Sequence, residues 1–287
     1  MTIKNPIEWS GARLVQAAQA LGSMGRSLHH ISDTAHSPAP AVRRIAIADL
    51  RDALVRGFDD FKAYRSDVVF VGIIYAVVGI ILDRAAFGAR LLPLLFPLAS
   101  GFAIVGPFAA VGLYEMSRRR EQGLEVNWSN GIEMIREPGF GGVAMLGLIL
   151  IAIFALWIAS AWWIYAATLG PALPPSAAAF VHDVFATHAG HVLIAAGMIV
   201  GFAFALVAMT ISVASFPLML DRDVGLDTAL ATSFRAVRDN PRTMAAWGLI
   251  VAGLLLIGSL PFFLGLAIVV PVLGHSTWHL YRKLVER

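Results

Sequence analysis

Two histidines near the end of the chain are the side chains best placed to do chemistry. His275 and His279 are four residues apart, so on one helix both rings would point to the same side. Such a pair can chelate a metal ion or bracket the edge of a cofactor. The alternative is that both rings lie at the level of the lipid headgroups, within the aromatic segment 274–281. Because no carboxylate or third ligand adjoins the pair, the sequence favours the second interpretation.

An internal repeat supplies polar partners for this pair. Residues 101–120 align with residues 265–284 at one constant offset, which places Glu115 at the position of His279. Asp221 ends another apolar run and would lie at the same depth. We therefore expect a polar cluster at the cytoplasmic face, with the members Glu115, Asp221, Arg222, His275 and His279.

A second set of histidines lies in a long loop on the opposite side. His188 and His191 are three residues apart and can share a helix face, whereas His182 would need the loop to fold back. Together with Asp183, these rings could capture copper or zinc. Histidines scattered through a loop are usually only solvated. We therefore expect no resident metal, haem or other cofactor at either set.

The composition points to a membrane protein. Of the 287 residues, 58% are hydrophobic and 14% are charged, and the mean hydropathy is +0.73. A soluble domain carries about 25% charged residues. The absence of cysteine excludes disulfides, thiolate metal sites and cysteine nucleophiles. No glycine-rich phosphate loop and no zinc-protease or serine-hydrolase motif occurs in the sequence.

The elements that position these residues are apolar runs of membrane-spanning length. They predict six transmembrane helices, at residues 67–82, 91–116, 139–166, 191–220, 243–259 and 262–281. The predicted fold is all-α: a polytopic membrane helix bundle of three parallel hairpin repeats, each preceded by an amphipathic surface helix. We expect a cytoplasmic tail with a weakly amphipathic helix at 1–41 and one membrane domain at 42–287. The repeat units within it are about 47–120, 121–223 and 224–287.

The surface helices show their apolar faces in the spacing of large side chains. In the first, at 47–64, the apolar face consists of Leu50, Leu54, Phe58 and Phe61, and the charged residues, Asp60 among them, fill the remainder. The helix at 225–240 repeats that spacing with Leu226, Leu230, Phe234 and Val237. A third, shorter piece surrounds Trp128. Two prolines mark breaks: we expect a kink near Pro107 and the end of a helix at Asn240-Pro241.

The charge distribution predicts the orientation. All of the 22 Lys and Arg residues except Arg84 and Arg90 fall on one side of the predicted spans. The positive-inside rule then places both termini in the cytoplasm of a bacterial inner membrane. Because the basic residues are segregated by side, we expect no nucleic-acid binding. The spans hold almost no ionisable residue at mid-depth, which argues against an ion-coupled pump.

Several segments together resemble a bacterial family of predicted integral membrane proteins of unknown function. These segments are residues 49–61, 106–119, 216–222, 229–247 and 274–282, and the resemblance extends over about residues 42–285. Some members of that family are labelled as a cytochrome c oxidase subunit. A catalytic subunit of such an oxidase needs several mid-span histidines for haem and copper, and this chain lacks them.

These observations favour a non-enzymatic membrane protein. We expect an accessory, assembly or scaffold component of a membrane complex, with a respiratory or other energy-transducing complex as the context that the resemblance implies. Its partners would be the lipid bilayer and another membrane protein. Two alternatives stay open. One is a passive transporter or lipid-handling protein, and the other is a protein that handles metal or haem through its histidine pairs.

Overall fold

A computed structural model describes residues 38–63, 89–126, 140–260 and 264–286, and these residues are almost entirely helical. A short 3-10 helix, Ala89–Leu94, precedes the second α-helix. The α-helices are α1 (Ile47–Ala63), α2 (Leu95–Ala109), α3 (Val111–Glu121), α4 (Phe140–Thr168), α5 (Ala177–Ala186), α6 (His188–Ser212), α7 (Ser215–Asp221), α8 (Leu226–Asp239), α9 (Pro241–Ser259) and α10 (Leu266–Leu284). The first predicted span, the surface piece around Trp128 and residues 1–37 of the tail lie outside the described residues.

Among the described residues, three helical segments are long and apolar enough to cross a bilayer. They are α4, the α6–α7 segment His188–Asp221 and α9, with 29, 34 and 19 residues. A fourth candidate is the pair Leu92–Gly101 and Ala103–Ala109, which is bent by 40°. The all-helical membrane fold is thus confirmed. The arrangement of six spans in three repeats stays a prediction, since within the described residues α10 is apolar only in its first half.

The helix breaks follow the prolines. Near Pro107, the helix is bent by 40° between Gly101 and Ala103, about one turn before the proline, as expected from the hydrogen bond to Ala103 that its missing N–H cannot make. Helix α2 ends at Ala109, and α3 begins two residues later. At the other predicted break, α8 ends at Asp239 and Pro241 is the first residue of α9. Proline is well suited to the first position of a helix, where its fixed φ is already helical.

Helix α1 packs antiparallel against the second half of α10. Its contact face is formed by small and polar residues, Ala53, Gly57 and Asp60, together with Leu50. Phe58, predicted on the same face as Leu50, is 46% exposed instead. The physical reason is the close approach of the two backbones at Gly57, where Ser276 lies directly opposite. Only small side chains fit beside Gly57, so Phe58 turns outward, whereas Leu50, two turns away, stays buried.

Helix α8 buries a face of the same kind. Thr228, Ala229, Thr232, Ser233 and Ala236 are its buried residues, while Phe234 is 55% exposed. The Ser233 hydroxyl donates to the carbonyl of Thr210 on α6 at 2.7 Å. Ala229 and Ser233 stand at the same offset from Ala53 and Gly57 that relates Phe234 to Phe58. Both surface helices therefore contact the bundle through small residues and expose their aromatic ring.

An extended segment before α1 ties the two ends of the described chain together. Val42 forms an antiparallel bridge with Val285, and the Arg43 N–H donates to the Leu284 carbonyl at 2.7 Å. Asn240 joins the same segment to the α8–α9 junction. Its Oδ1 accepts the N–H of Ile45 at 2.8 Å, and its Nδ2 donates to the Arg43 carbonyl at 3.0 Å.

Replacing Asn240 by alanine should loosen this segment. The change leaves a partly buried N–H and a carbonyl without their partner, which costs about 1–3 kcal/mol per unsatisfied group. Hydrogen exchange of the Ile45 amide should become faster. Asn240→Asp is the matched variant, because it retains an acceptor for Ile45 and should protect that amide better than alanine does. Equal exchange in the wild type and Asn240→Ala would show that these bonds do not hold the segment.

Candidate functional site

Acidic side chains of α1 face basic side chains of α10 in a row along the two helices, which we call the ladder. It lies at the end of the bundle where the charged side chains collect, which we call the polar end. Along α10, His275, His279 and Lys283 recur every fourth residue, so they share the side that faces α1. Lys283 Nζ lies 3.1 Å from Asp49 Oδ1 and 2.8 Å from Asp52 Oδ2. These contacts hold the start of α1 against the end of α10.

Asp60 is the hub of the ladder at the other end of α1. Its Oδ2 accepts the Ser117 hydroxyl at 2.6 Å and lies 2.9 Å from His279 Nε2. Its Oδ1 accepts a guanidinium N–H of Arg120 at 2.7 Å. The residue is 4% exposed. One buried carboxylate therefore joins three helices, since its partners come from α3 and α10.

The directions of these hydrogen bonds follow from the charge of Asp60. Burial alone would raise the pKa of Asp60, but the hydrogen bonds from His279 and Ser117 outweigh it and hold the pKa below the ordinary value of 3.8. An ionised carboxylate can only accept, so His279 donates through Nε2. Since the Ser117 hydroxyl donates to Asp60, His275 Nδ1, 2.8 Å from the same hydroxyl oxygen, donates to Ser117.

This arrangement differs from a nucleophile activated by a histidine base. In such a pair the hydroxyl gives its proton to the imidazole, whereas here the Ser117 proton is directed to Asp60. Ser117 is 1% exposed and His275 is fully buried. The Ser117 hydroxyl and the His275 ring thus connect helices to one another through hydrogen bonds.

The polar residues on α3 and α7 form two further networks. Glu115 accepts two hydrogen bonds from Arg118, at 2.7 and 2.9 Å, and one from Arg119 at 2.9 Å, all within α3. Asp221 accepts the Tyr281 hydroxyl at 2.7 Å and a guanidinium N–H of Arg282 at 3.0 Å. The second network therefore ties α7 to α10.

Glu121 connects the end of α3 to the same part of α10. It accepts the indole N–H of Trp278 at 3.1 Å and a guanidinium N–H of Arg282 at 3.1 Å. Arg282 therefore lies between the carboxylates of Glu121 and Asp221. Together these side chains line a pocket at the ends of α3 and α7.

The predicted cluster of five residues is corrected by these contacts. All five lie at one end of the bundle, but they are divided among three networks instead of one. His275 and His279 join Asp60 and Ser117, while Glu115 is occupied by Arg118 and Arg119. Asp221 bonds to Tyr281 and Arg282, and Arg222 bonds to the Glu286 carbonyl. The reason is that α1, predicted to carry Asp60 on its outward side, brings that carboxylate into the bundle.

The histidines of the opposite side are not brought together as ligands. His191 Nε2 lies 3.0 Å from the Phe185 carbonyl, and His182 Nδ1 lies 3.6 Å from its neighbour Asp183. His182 lies within α5, whereas His188 and His191 lie at the start of α6. Among the residues that the structure describes, no group of three or more His, Cys, Asp or Glu side chains is arranged to hold a metal ion. Elemental analysis of the purified protein would test metal binding at either histidine set.

The residues that sequence reasoning missed are Asp60, Ser117, Glu121 and Lys283. A signal for two of them was present. Lys283 continues the four-residue spacing of His275 and His279, and Asp60 has the spacing from Asp49 and Asp52 that an acidic side of one helix requires. Ser117 and Glu121 carry no such signal, because nothing in the local sequence shows that α3 ends beside α10.

Comparison with known proteins supports the membrane assignment. No curated protein and no solved structure matches the chain. Residues 95–221 match the model of the family described as "Predicted integral membrane protein (DUF2189)". This range contains the resembling segment 106–119 and all but the last residue of segment 216–222, whereas the other three segments lie outside it. Residues 95–221 are therefore similar to a family of predicted integral membrane proteins of unknown function.

Proposed function

We propose that this chain is a non-enzymatic integral membrane protein that serves as an accessory, assembly or scaffold component of a membrane complex. The observation that carries the proposal is the use of carboxylates at the polar end. Asp60, Glu121 and Asp221 each accept hydrogen bonds from side chains of other helices. Breaking a buried charge pair is strongly destabilising, so these side chains are committed to holding the bundle together.

The membrane-facing surface is what such a bundle offers to a partner. In the most apolar window of the α6–α7 span, 6% of the residues are buried, compared with 33% for α4. Large side chains are exposed along α6, including Met198 at 59% and Phe202 at 69%. A transmembrane helix of a partner protein would cover this face by close packing. A respiratory or other energy-transducing complex is the candidate that the resemblance suggests.

Cross-linking in native membranes tests the proposal at residue level. The chain has no cysteine, so a single introduced cysteine carries a photoreactive label at one known place. Label at Phe202→Cys should attach to one defined membrane protein. Leu256→Cys on α9 is the matched control, because Leu256 is 65% exposed on another span. Labelling of lipid alone at both positions would count against a partner on this face.

We further propose that both termini face the cytoplasm of a bacterial inner membrane. The proposal rests on the segregation of Lys and Arg described above. The bridge between Val42 and Val285, near the two ends of the described chain, supports placing both ends on the same side. A reporter that works only in the cytoplasm should be active at either terminus, and a reporter that works only in the periplasm should be inactive at either terminus. A cytoplasmic reporter active at one terminus and a periplasmic reporter active at the other would overturn this orientation.

A further inference from the structure

A pocket of about 210 Å³ opens at the polar end of the bundle. It is lined by Arg118, Glu121, Gln122, Asp221, Trp278 and Arg282. These residues belong to the ends of α3 and α7 and to the last turns of α10. Asp221 is the last residue of the α6–α7 span. The pocket therefore lies where a membrane span ends, which is the level of lipid headgroups in a bilayer.

The wall of the pocket is balanced in charge. Two guanidinium groups, of Arg118 and Arg282, face two carboxylates, of Glu121 and Asp221. The side chains of Asp221 and Arg282 are each 16% exposed, and that of Glu121 is 27% exposed. A ligand with a net charge would leave an uncompensated charge in this partly buried place, which is costly. A zwitterion would keep the balance.

The carboxylates and the guanidinium groups of the pocket each favour one charged group of that zwitterion. Carboxylates accept N–H donors, so a primary ammonium fits Glu121 and Asp221 better than a quaternary one, which has no N–H. Guanidinium groups attract phosphate oxygens and donate N–H groups to them. Arg118 donates to Glu115 through Nε and Nη2, and Arg282 donates to Glu121 and Asp221, so a phosphate at the other end of the ligand would accept further N–H groups of these two side chains.

We propose that this pocket binds a primary ammonium–phosphate zwitterion. An ethanolamine phospholipid headgroup and a free aminoalkyl phosphate share this chemistry. The proposal goes beyond the accessory function but shares Glu121 and Asp221 with it, because a carboxylate that accepts a hydrogen bond from another helix keeps further lone pairs for an ammonium. It concerns a different network from that of Asp60, His275 and His279.

The test uses the full-length protein, purified and delipidated in detergent. Native mass spectrometry and thermal unfolding are measured with phosphatidylethanolamine, phosphatidylcholine and phosphatidylglycerol, and with free phosphoethanolamine. Phosphatidylethanolamine should bind about tenfold more tightly than either of the other lipids. Stabilisation by both phosphatidylethanolamine and free phosphoethanolamine identifies headgroup recognition. Stabilisation by free phosphoethanolamine alone supports the same site with a soluble ligand.

A charge change at the rim separates this site from general lipid binding. Gln122 is exposed and forms part of the wall, so Gln122→Lys adds a cation there without removing an ion pair. This variant should lose about tenfold in binding of phosphatidylethanolamine, because the new ammonium repels that of the ligand. Glu125→Gln changes the net charge equally at an exposed position outside the pocket and should bind as the wild type does. Equal binding of the three lipids, tighter binding of phosphatidylglycerol by the wild type, or no effect of Gln122→Lys would overturn the proposal.

Discussion

Replacing Asp60 by alanine is expected to lower the stability of the protein by about 3–5 kcal/mol, the range for breaking a buried charge pair. The change removes the common acceptor of Ser117, His279 and Arg120. These donors belong to two helices, so α1 would lose its tie to both. The measurement is thermal or denaturant unfolding of the purified protein in detergent.

Asp59→Ala is the matched control for this result. Asp59 is the preceding residue and pairs with Lys62, but both side chains are at least half exposed, at 50% and 56%. An exposed pair of this kind contributes about 0–1 kcal/mol. If the two alanine variants unfolded alike, Asp60 would not be the hub that its contacts indicate.

The pH dependence of stability gives an independent check on Asp60. Its pKa in the folded protein lies below the ordinary value of 3.8, so the folded state binds this proton less readily than the unfolded state does. The stabilisation is therefore present above about pH 4 and is lost as the pH falls through the folded pKa. Asp60→Asn cannot titrate, and its unfolding midpoint should fall less steeply with acid than that of the wild type. If the unfolding midpoints of the wild type and Asp60→Asn fell equally with acid, the low pKa assigned to Asp60 would be contradicted.

Replacing Gly57 by alanine is the second change with a large expected effect. A Cβ at this position would lie 2.5 Å from the backbone N and 2.8 Å from the Cα of Ser276. Because backbone atoms of α10 cannot move aside as a side-chain tip does, α1 must shift away. Overpacking of this kind costs about 1–3 kcal/mol. The shift would also lengthen the contacts of Asp60, so the loss should reach the upper part of that range.

A labelling experiment detects the shift of α1 directly. Ala53 is fully buried on the same face of α1, and a cysteine there should react slowly with a maleimide. In the Gly57→Ala background that reaction should become faster. Gly253→Ala on α9 is the control, since a Cβ there meets no atom within 4 Å and alanine favours a helix over glycine. Unchanged labelling in both backgrounds would show that α1 tolerates the extra methyl group.

The sequence predicted the helices well because long apolar runs and prolines act locally. The third, fourth and fifth predicted spans correspond to α4, to α6 with α7, and to α9. The bend before Pro107 and the helix boundary at Asn240-Pro241 occur where proline disfavours a continuous helix. The buried side of α1 could not be predicted in the same way. The apolar spacing predicted that Phe58 shares the buried face of α1. The close approach of the α1 and α10 backbones at Gly57 determines instead which residues are buried.

The location of the polar networks could be predicted from the sequence, but the hydrogen-bond partners within them could not. The end of the bundle at which Glu115, Asp221 and the two histidines lie followed from the internal alignment and the charge distribution. The partner of His279 did not, because Asp60 is separated from it by 219 residues. Helix propensity carries no information about contacts at that separation. An acid–base register between two helices, such as Asp52 with Lys283, becomes visible only when the helices are known to be antiparallel neighbours.

Extraction from native membranes tests whether the chain works as part of a membrane complex, as we propose. The tagged protein is solubilised in a mild detergent, and the mass and composition of the particle are measured. We expect a particle that contains the 30.8 kDa chain together with another membrane protein in a fixed ratio. A particle made of this chain alone, obtained under conditions that preserve other complexes of the same membrane, would contradict it.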